Sequence, residues 1–144
     1  MSGRTIRSII EGQELITAPK SMPVGDAARL MKQHKVGAIL VVEGDKLVGV
    51  FTERDALFRV VAEGRDAAIT DLGAVMTQNP RTVQADSNFS LALQMMYEGG
   101  FRNVPVVDNG RPVGLVSARD ALGPELKEFI YEVLRQEQTT DVLA

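Results

Sequence analysis

Apolar residues along this chain follow two spacings, and the spacings alternate. In residues 5–11, Ile6, Ile9 and Ile10 predict a short amphipathic helix that Gly12 stops. Residues 15–18 read as a brief extended piece. Val24, Ala27, Ala28 and Met31 then occupy positions i, i+3, i+4 and i+7, one apolar helical face that begins around Pro23 and runs to about Gln33. Residues 36–43 are almost continuously apolar and too few for a typical helix, which predicts a buried strand. Gly44-Asp45 turns the chain into a second strand, 46–51. Thr52 then caps a helix that reaches about Glu63 with Leu57, Val60 and Val61 on its inner face. Residues 64–69 read as a linker.

The order then recurs. Residues 71–76 answer to the first helix and 81–83 to the extended piece. Phe89, Ala92, Leu93 and Met96 reproduce the helical face, with Met95 and Met96 read as core. Residues 103–108 and 111–116 form a hairpin around Asn109-Gly110, a strong turn signal. Pro105 and Pro112 suit strand ends or edges better than ladder interiors. Gly123-Pro124 breaks the pattern, and residues 125–138 predict a last helix with Leu126, Phe129, Ile130, Val133 and Leu134 on one stripe. Contact across a dimer is the preferred reading of that stripe. The tail, 139–144, is expected to fray.

The recurrence is literal. Val48-Gly49-Val50-Phe51-Thr52-Glu53-Arg54-Asp55-Ala56-Leu57 returns sixty-five residues later as Val113-Gly114-Leu115-Val116-Ser117-Ala118-Arg119-Asp120-Ala121-Leu122. Residues 36–57 and 101–122 align without a gap and share eight identities in twenty-two positions. Such a repeat sets the architecture. Each half is strand–helix–strand–strand–helix, an α+β unit with one antiparallel hairpin. Helices cover one face of each sheet, and the other half is the expected cover for the second. The divisions expected are an N-terminal helix (1–12), a first repeat (13–66), a second repeat (67–123) and a C-terminal helix with its tail (124–144).

Composition narrows the function. At 144 residues, 44% hydrophobic and 24% charged, the chain has about one domain's core, and a lone half is near the size where a core is marginal. There is no cysteine, which excludes disulfide and thiolate chemistry and fits a reducing, cytoplasmic setting. No signal-peptide pattern and no apolar run approaching roughly 18 residues is present, so no membrane partner is expected. A net charge of −3 argues against a general nucleic-acid binder. His34 stands alone at a helix end, so no metal is expected. No nucleophile–base pair and no P-loop pattern occurs, so no enzyme is expected.

The doubled hydroxyl-x-Arg-Asp motif carries the remaining chemistry. Thr52-x-x-Asp55 and Ser117-x-x-Asp120 are close to helix capping boxes, a sufficient structural reason for them. A carboxylate also accepts two hydroxyl donors well. Capping does not require the recurrent Arg54 and Arg119, which read as a solvated charge, an ion pair or a forked phosphate contact.

A Gly-apolar-apolar-Thr/Ser-x-x-Asp motif after an apolar hairpin, twice in tandem, resembles the cystathionine-β-synthase (CBS) domain pair. The likeness covers about residues 13–130, and small stand-alone bacterial members with flanking helices resemble the chain closely. The resemblance implies two repeats packed about a pseudo-twofold axis, with adenosine-containing ligands (AMP, ADP, ATP, NAD or S-adenosylmethionine) bound in the clefts between them. It implies no required cofactor, a homodimer, and regulation of a separate, unknown protein target. By the same resemblance Asp55 and Asp120 bind ribose, Thr52 and Ser117 contact ribose or phosphate, and Arg102 and Asn103 reach phosphates. Thr17 and Thr82 line the adenosine site, each with a turn-hydroxyl role as the plainer reading. Gly37 and Ala38 stand where the second copy has Arg102 and Asn103, so the clefts are unequal and the small residues leave room for a base. Ile39, Val41, Val104 and Val106 are placed to flank adenine, although core packing is their firmer role, and Pro105 between the last two is counted with the ligand-binding residues. The competing reading is a ligand-free adaptor dimer in which the aspartates only cap helices.

Overall fold

The hairpins form where the sequence turns. The computed structural model describes residues 3–123 and 131–136. Strands β2 (Ala38–Glu43) and β3 (Lys46–Thr52) pair antiparallel, from Ala38↔Thr52 to Glu43↔Lys46. Strands β6 (Asn103–Asp108) and β7 (Arg111–Ser117) repeat the arrangement, from Asn103↔Ser117 to Asp108↔Arg111. Asn109 and Gly110 close that hairpin at φ 53° and 79°, the paired left-handed backbone of a tight turn. Both hairpins slip register at the same place, between Val41 and Val42 and between Val106 and Val107.

Short strands extend each hairpin. Strand β1 (Thr17–Ala18) lies parallel to β2, with α2 (Val24–His34) crossing between them. Strand β5 (Val83–Gln84) lies parallel to β6, with α5 (Phe89–Gly99) as its crossover. Strand β4 (Thr77–Gln78) pairs with the far edge of β3. Among the described residues no strand takes that place on β7. The Gln13 side chain does so instead, donating from Nε2 to Leu115 O and accepting at Oε1 from Leu115 N, both at 2.8 Å.

The leading helices are exchanged. Helix α1 (Ile6–Ile10) precedes the first repeat, yet Ile6 is fully buried in the second core with Val83, Phe89, Ala92, Val104 and Val106. Helix α4 (Leu72–Val75) precedes the second repeat and buries Leu72 and Val75 in the first core with Ala18, Val24, Met31, Ile39 and Phe51. Backbone bonds fix both placements: Ile6 N donates to Ser87 O at 2.9 Å, and Leu72 N to Met22 O at 2.9 Å. The helix caps are Thr5 and Asp71, so here the repeat offset is one residue longer than the sixty-five read from the hairpins. From the cap to the strand residue paired with Val41 or Val106, the second copy is one residue shorter, Asp71 to Val83 against Thr5 to Ala18.

A third apolar cluster joins the sheets. Ala38, Leu40 and Val50 pack with Leu47 and with Leu115 of the other half, the cover that each sheet's second face needed.

Three sequence expectations need correction. Ala28 is exposed, because the buried face of α2 is narrower: Val24, Ala27 and Met31. After α3 (Glu53–Asp55) the chain winds as a π-helix, Ala56–Val61, with Ala62 N bonded to Leu57 O and Arg65 N to Val60 O. Residues five apart then share a face. Asp55 and Val60 are buried, while Leu57 and Val61 are 53% and 68% exposed, contrary to the inner face expected of them. Pro105 lies inside the central strand β6, not at an end. It fits because pairing with β5 begins only at Val106. In the first half the matching Leu40 N donates to Ile16 O at 3.1 Å, a bond proline has no hydrogen to make. Of the C-terminal stripe, Leu126, Phe129 and Ile130 lie outside the described residues, and Leu134 is 55% exposed.

Candidate ligand cleft between the repeats

Strand β3 ends at Thr52 in extended conformation, and its side chain starts the next helix. Thr52 Oγ1 accepts from Asp55 N at 3.1 Å, and Asp55 Oδ2 accepts from Thr52 N at 3.0 Å. This is a reciprocal capping box. Ser117 N donates to Asp120 Oδ2 at 2.8 Å, the same brace in the second copy. Asp55 is buried, and the Arg59 Nε stands 3.5 Å from its Oδ1. Arg59 Nη1 in turn donates to the closing carbonyls of α4, Val75 O at 3.2 Å and Met76 O at 3.0 Å.

The two motif arginines cross between repeats. Arg54 Nη1 donates to Gly100 O at 3.0 Å, and Arg119 Nη2 reaches Lys35 O at 3.4 Å. Gly100 and Lys35 are the left-handed residues that close α5 and α2. Neither arginine is merely solvated or ion-paired: each latches its repeat to a helix end of the other.

Between the halves lies a cavity of about 680 Å³. The first repeat contributes Thr52, Arg54, Asp55 and Arg59, with Leu57 and Phe58 from the π-helical stretch. The second contributes Thr77, Asn79, Pro80 and Arg81 ahead of β5, and Phe101, Arg102 and Asn103 ahead of β6. Val50 and Glu53 complete the lining. An apolar surface beside a buried carboxylate and several guanidinium groups suits an amphiphilic anion.

The structure thus brings Thr52, Arg54, Asp55, Arg102 and Asn103 into one cleft. Ser117, Arg119 and Asp120 belong to the pseudo-symmetric position, with Arg119 beside the end of α2 that leads to Gly37 and Ala38. Ile39, Val104 and Pro105 are fully buried and do not line the cavity; the first two belong to the cores. Ala38 is buried in the cluster between sheets. Thr17 and Thr82 are half-buried and outside the lining. The residues just ahead of Thr82 take that place. An Asn-Pro pair is a turn signal that the sequence reading did not use, and Asn79 adopts a left-handed φ of 45°. Arg59 lies four residues beyond Asp55, a spacing that brings a guanidinium to a carboxylate. His34 ends α2, with Nδ1 3.4 Å from Glu14 Oε2. Among the described residues no cluster of side chains could hold a metal, and no helix is long and apolar enough to cross a membrane.

A duplicated α+β unit with exchanged leading helices and a largely apolar cleft, bordered by guanidinium groups, between its halves defines a two-repeat module. The family model for the CBS domain matches twice, over residues 6–62 and 71–123. The chain belongs to the CBS-domain family, as a tandem pair. It is similar to the CBS domain-containing protein YhcV of Bacillus subtilis, 39% identical over 109 residues, covering 74% of this chain and 76% of that one. It also resembles CBSCBSPB3 of Arabidopsis thaliana, 38% identical over 83% of this chain, although the chain spans only 21% of that protein's length. Among solved structures, a CBS-domain protein from Burkholderia ambifaria superposes with a TM-score of 0.79 at 32% identity, covering 85% of this chain and 94% of that one.

Proposed function

We propose that this chain is a non-catalytic regulatory module that binds an adenosine-containing ligand in the Asp55 cleft and signals to a separate protein. One observation carries the reading: the buried Asp55 and the phosphate-suited Arg102 come from different repeats and line the same cavity. Ribose hydroxyls would donate to the carboxylate, the apolar lining would take the base, and guanidinium groups would take phosphate. A protein of this fold at 24% identity, PAE2072 of Pyrobaculum aerophilum, is complexed with AMP, which is compatible with the reading. A ligand that touches both repeats can change how they pack, to the extent that it binds one packing better than another. Val61 and Leu134, exposed and outside the cavity lining, support a homodimer, and the absence of cysteine suits a cytoplasmic setting.

Native mass spectrometry of the purified protein tests this directly, with AMP, ATP, NAD and S-adenosylmethionine added in turn. At least one is expected to bind and to be lost in Asp55→Ala. No binding at millimolar ligand sinks the proposal. One observation favours the adaptor reading: Asp55 is already engaged by Thr52 N and faced by Arg59. A clean apo dimer with unchanged partner capture in Asp55→Ala would select it.

A further inference from the structure

Each motif arginine ends on the other repeat's helix, and the two helix ends are not closed alike. Arg54 stands on a base fixed by the Thr52–Asp55 capping box, and Arg119 on the matching box of Ser117 and Asp120. Arg54 Nη1 donates to Gly100 O at 3.0 Å, and Arg119 Nη2 to Lys35 O at 3.4 Å. The acceptors are the left-handed residues that end α5 and α2. Both arginines are exposed, so their contacts fix position at the surface and seal no core.

The last turn of α2 closes itself. Lys35 N donates to Lys32 O at 3.3 Å and Val36 N to Met31 O at 3.0 Å, so two local donors hold the reversal before Arg119 adds its contact. Past the last turn of α5 there is, among the described residues, one local donor, Gly100 N on Met96 O at 2.8 Å. The closing residue there is glycine, which has the widest backbone freedom. Arg54 therefore supplies the larger share of what fixes the end of α5, and does so at the shorter distance. The outer surfaces differ too. Tyr97, three residues before Gly100, is 90% exposed, and the repeat offset places the exposed Lys32 at the same point of α2.

We infer that Arg54 and Arg119 are crossed positioning residues: the motif of each repeat sets the closing turn, and with it the outer face, of the other repeat's helix. The arm from Arg54 to α5 dominates, so a change at the first motif is expressed on the aromatic surface of the second repeat. This coupling belongs to the free chain and requires no ligand.

Fluorine NMR of the full chain labelled with 3-fluorotyrosine tests this. The chain has two tyrosines, Tyr97 and Tyr131, and Tyr131→Phe assigns the pair of signals. Hydrogen exchange followed by mass spectrometry reads the two helix ends alongside. Arg54→Ala is expected to shift the Tyr97 resonance and to speed exchange across residues 97–101 by roughly three- to tenfold, with residues 32–36 unchanged. Arg119→Ala is expected to speed exchange across 32–36 by about threefold or less and to leave the Tyr97 resonance in place. The urea midpoints of both variants are expected to stay close to the parent's, because the contacts are exposed. Acceleration confined to the mutated arginine's own repeat, uniform acceleration along the whole chain with a fallen midpoint, or a larger effect from Arg119→Ala than from Arg54→Ala overturns the inference.

Discussion

At the end of α2 the chain must reverse into β2, and Lys35 does so at φ 56° with a full side chain. Its counterpart closing α5 is Gly100, at φ 72°. An L side chain in that region is disfavoured by roughly 1–2 kcal/mol, and glycine is not. Lys35→Gly is therefore expected to raise stability by about 1 kcal/mol, read as a higher urea midpoint with an unchanged slope. The Arg119 contact to the Lys35 carbonyl is made to backbone and survives the change. The same pair of contacts shows why Arg54 and Arg119 resisted reading from sequence. Their acceptors lie 46 and 84 residues away, and no local spacing reports them. Thr52 and Asp55 were legible because the partners of a capping box sit three residues apart.

The repeated glycine of the motif finds its reason in the exchanged helices. A Cβ on Gly114 would come within 2.7 Å of Ile10 Cγ2 and 2.9 Å of Ile10 Cβ, at the end of α1. On Gly49 it would collide with the Met76 thioether, just past α4. Each glycine lets the other repeat's leading segment lie against its hairpin. Gly114→Ala and Gly49→Ala are each expected to destabilise by about 1–3 kcal/mol, the first against the branched Ile10 and the second against Met76 and the Thr77 carbonyl, 3.0 Å from the added carbon. Calorimetric melts of the two variants against the parent check both losses. Elements built from local signals were legible: hairpins from turn residues, α2 and α5 from their apolar spacing. The π-helical stretch was not, because Leu57, Val60 and Val61 fit an ordinary helical period as well. Its winding turns Leu57 and Phe58 toward the cleft and leaves Val60 in the core. Pro105 misled for a related reason, since its tolerance depends on where a neighbouring strand starts.

Across the whole molecule, the duplication was legible and the exchange was not. A repeat pattern says that two similar units exist, but not which core receives each leading helix. The alignment of α1 with α4 held to within one residue, while their burial crosses over. The fragments 1–66 and 67–144 each carry a helix that belongs to the other's core. Neither is expected to show a cooperative thermal transition alone, whereas an equimolar mixture is expected to recover one. Circular dichroism during titration of one fragment with the other measures it, and independent melting of either fragment would contradict the expectation. The candidate cleft follows the same rule, because its walls come from both repeats and neither half holds it. For anyone grafting this two-repeat module onto another protein, the crossed helices set the cut points. A transplant trimmed to a single repeat, or begun after Gly12, leaves the sealing helix of the second core behind. The transferable cassette begins ahead of Thr5 and continues through the second capping motif.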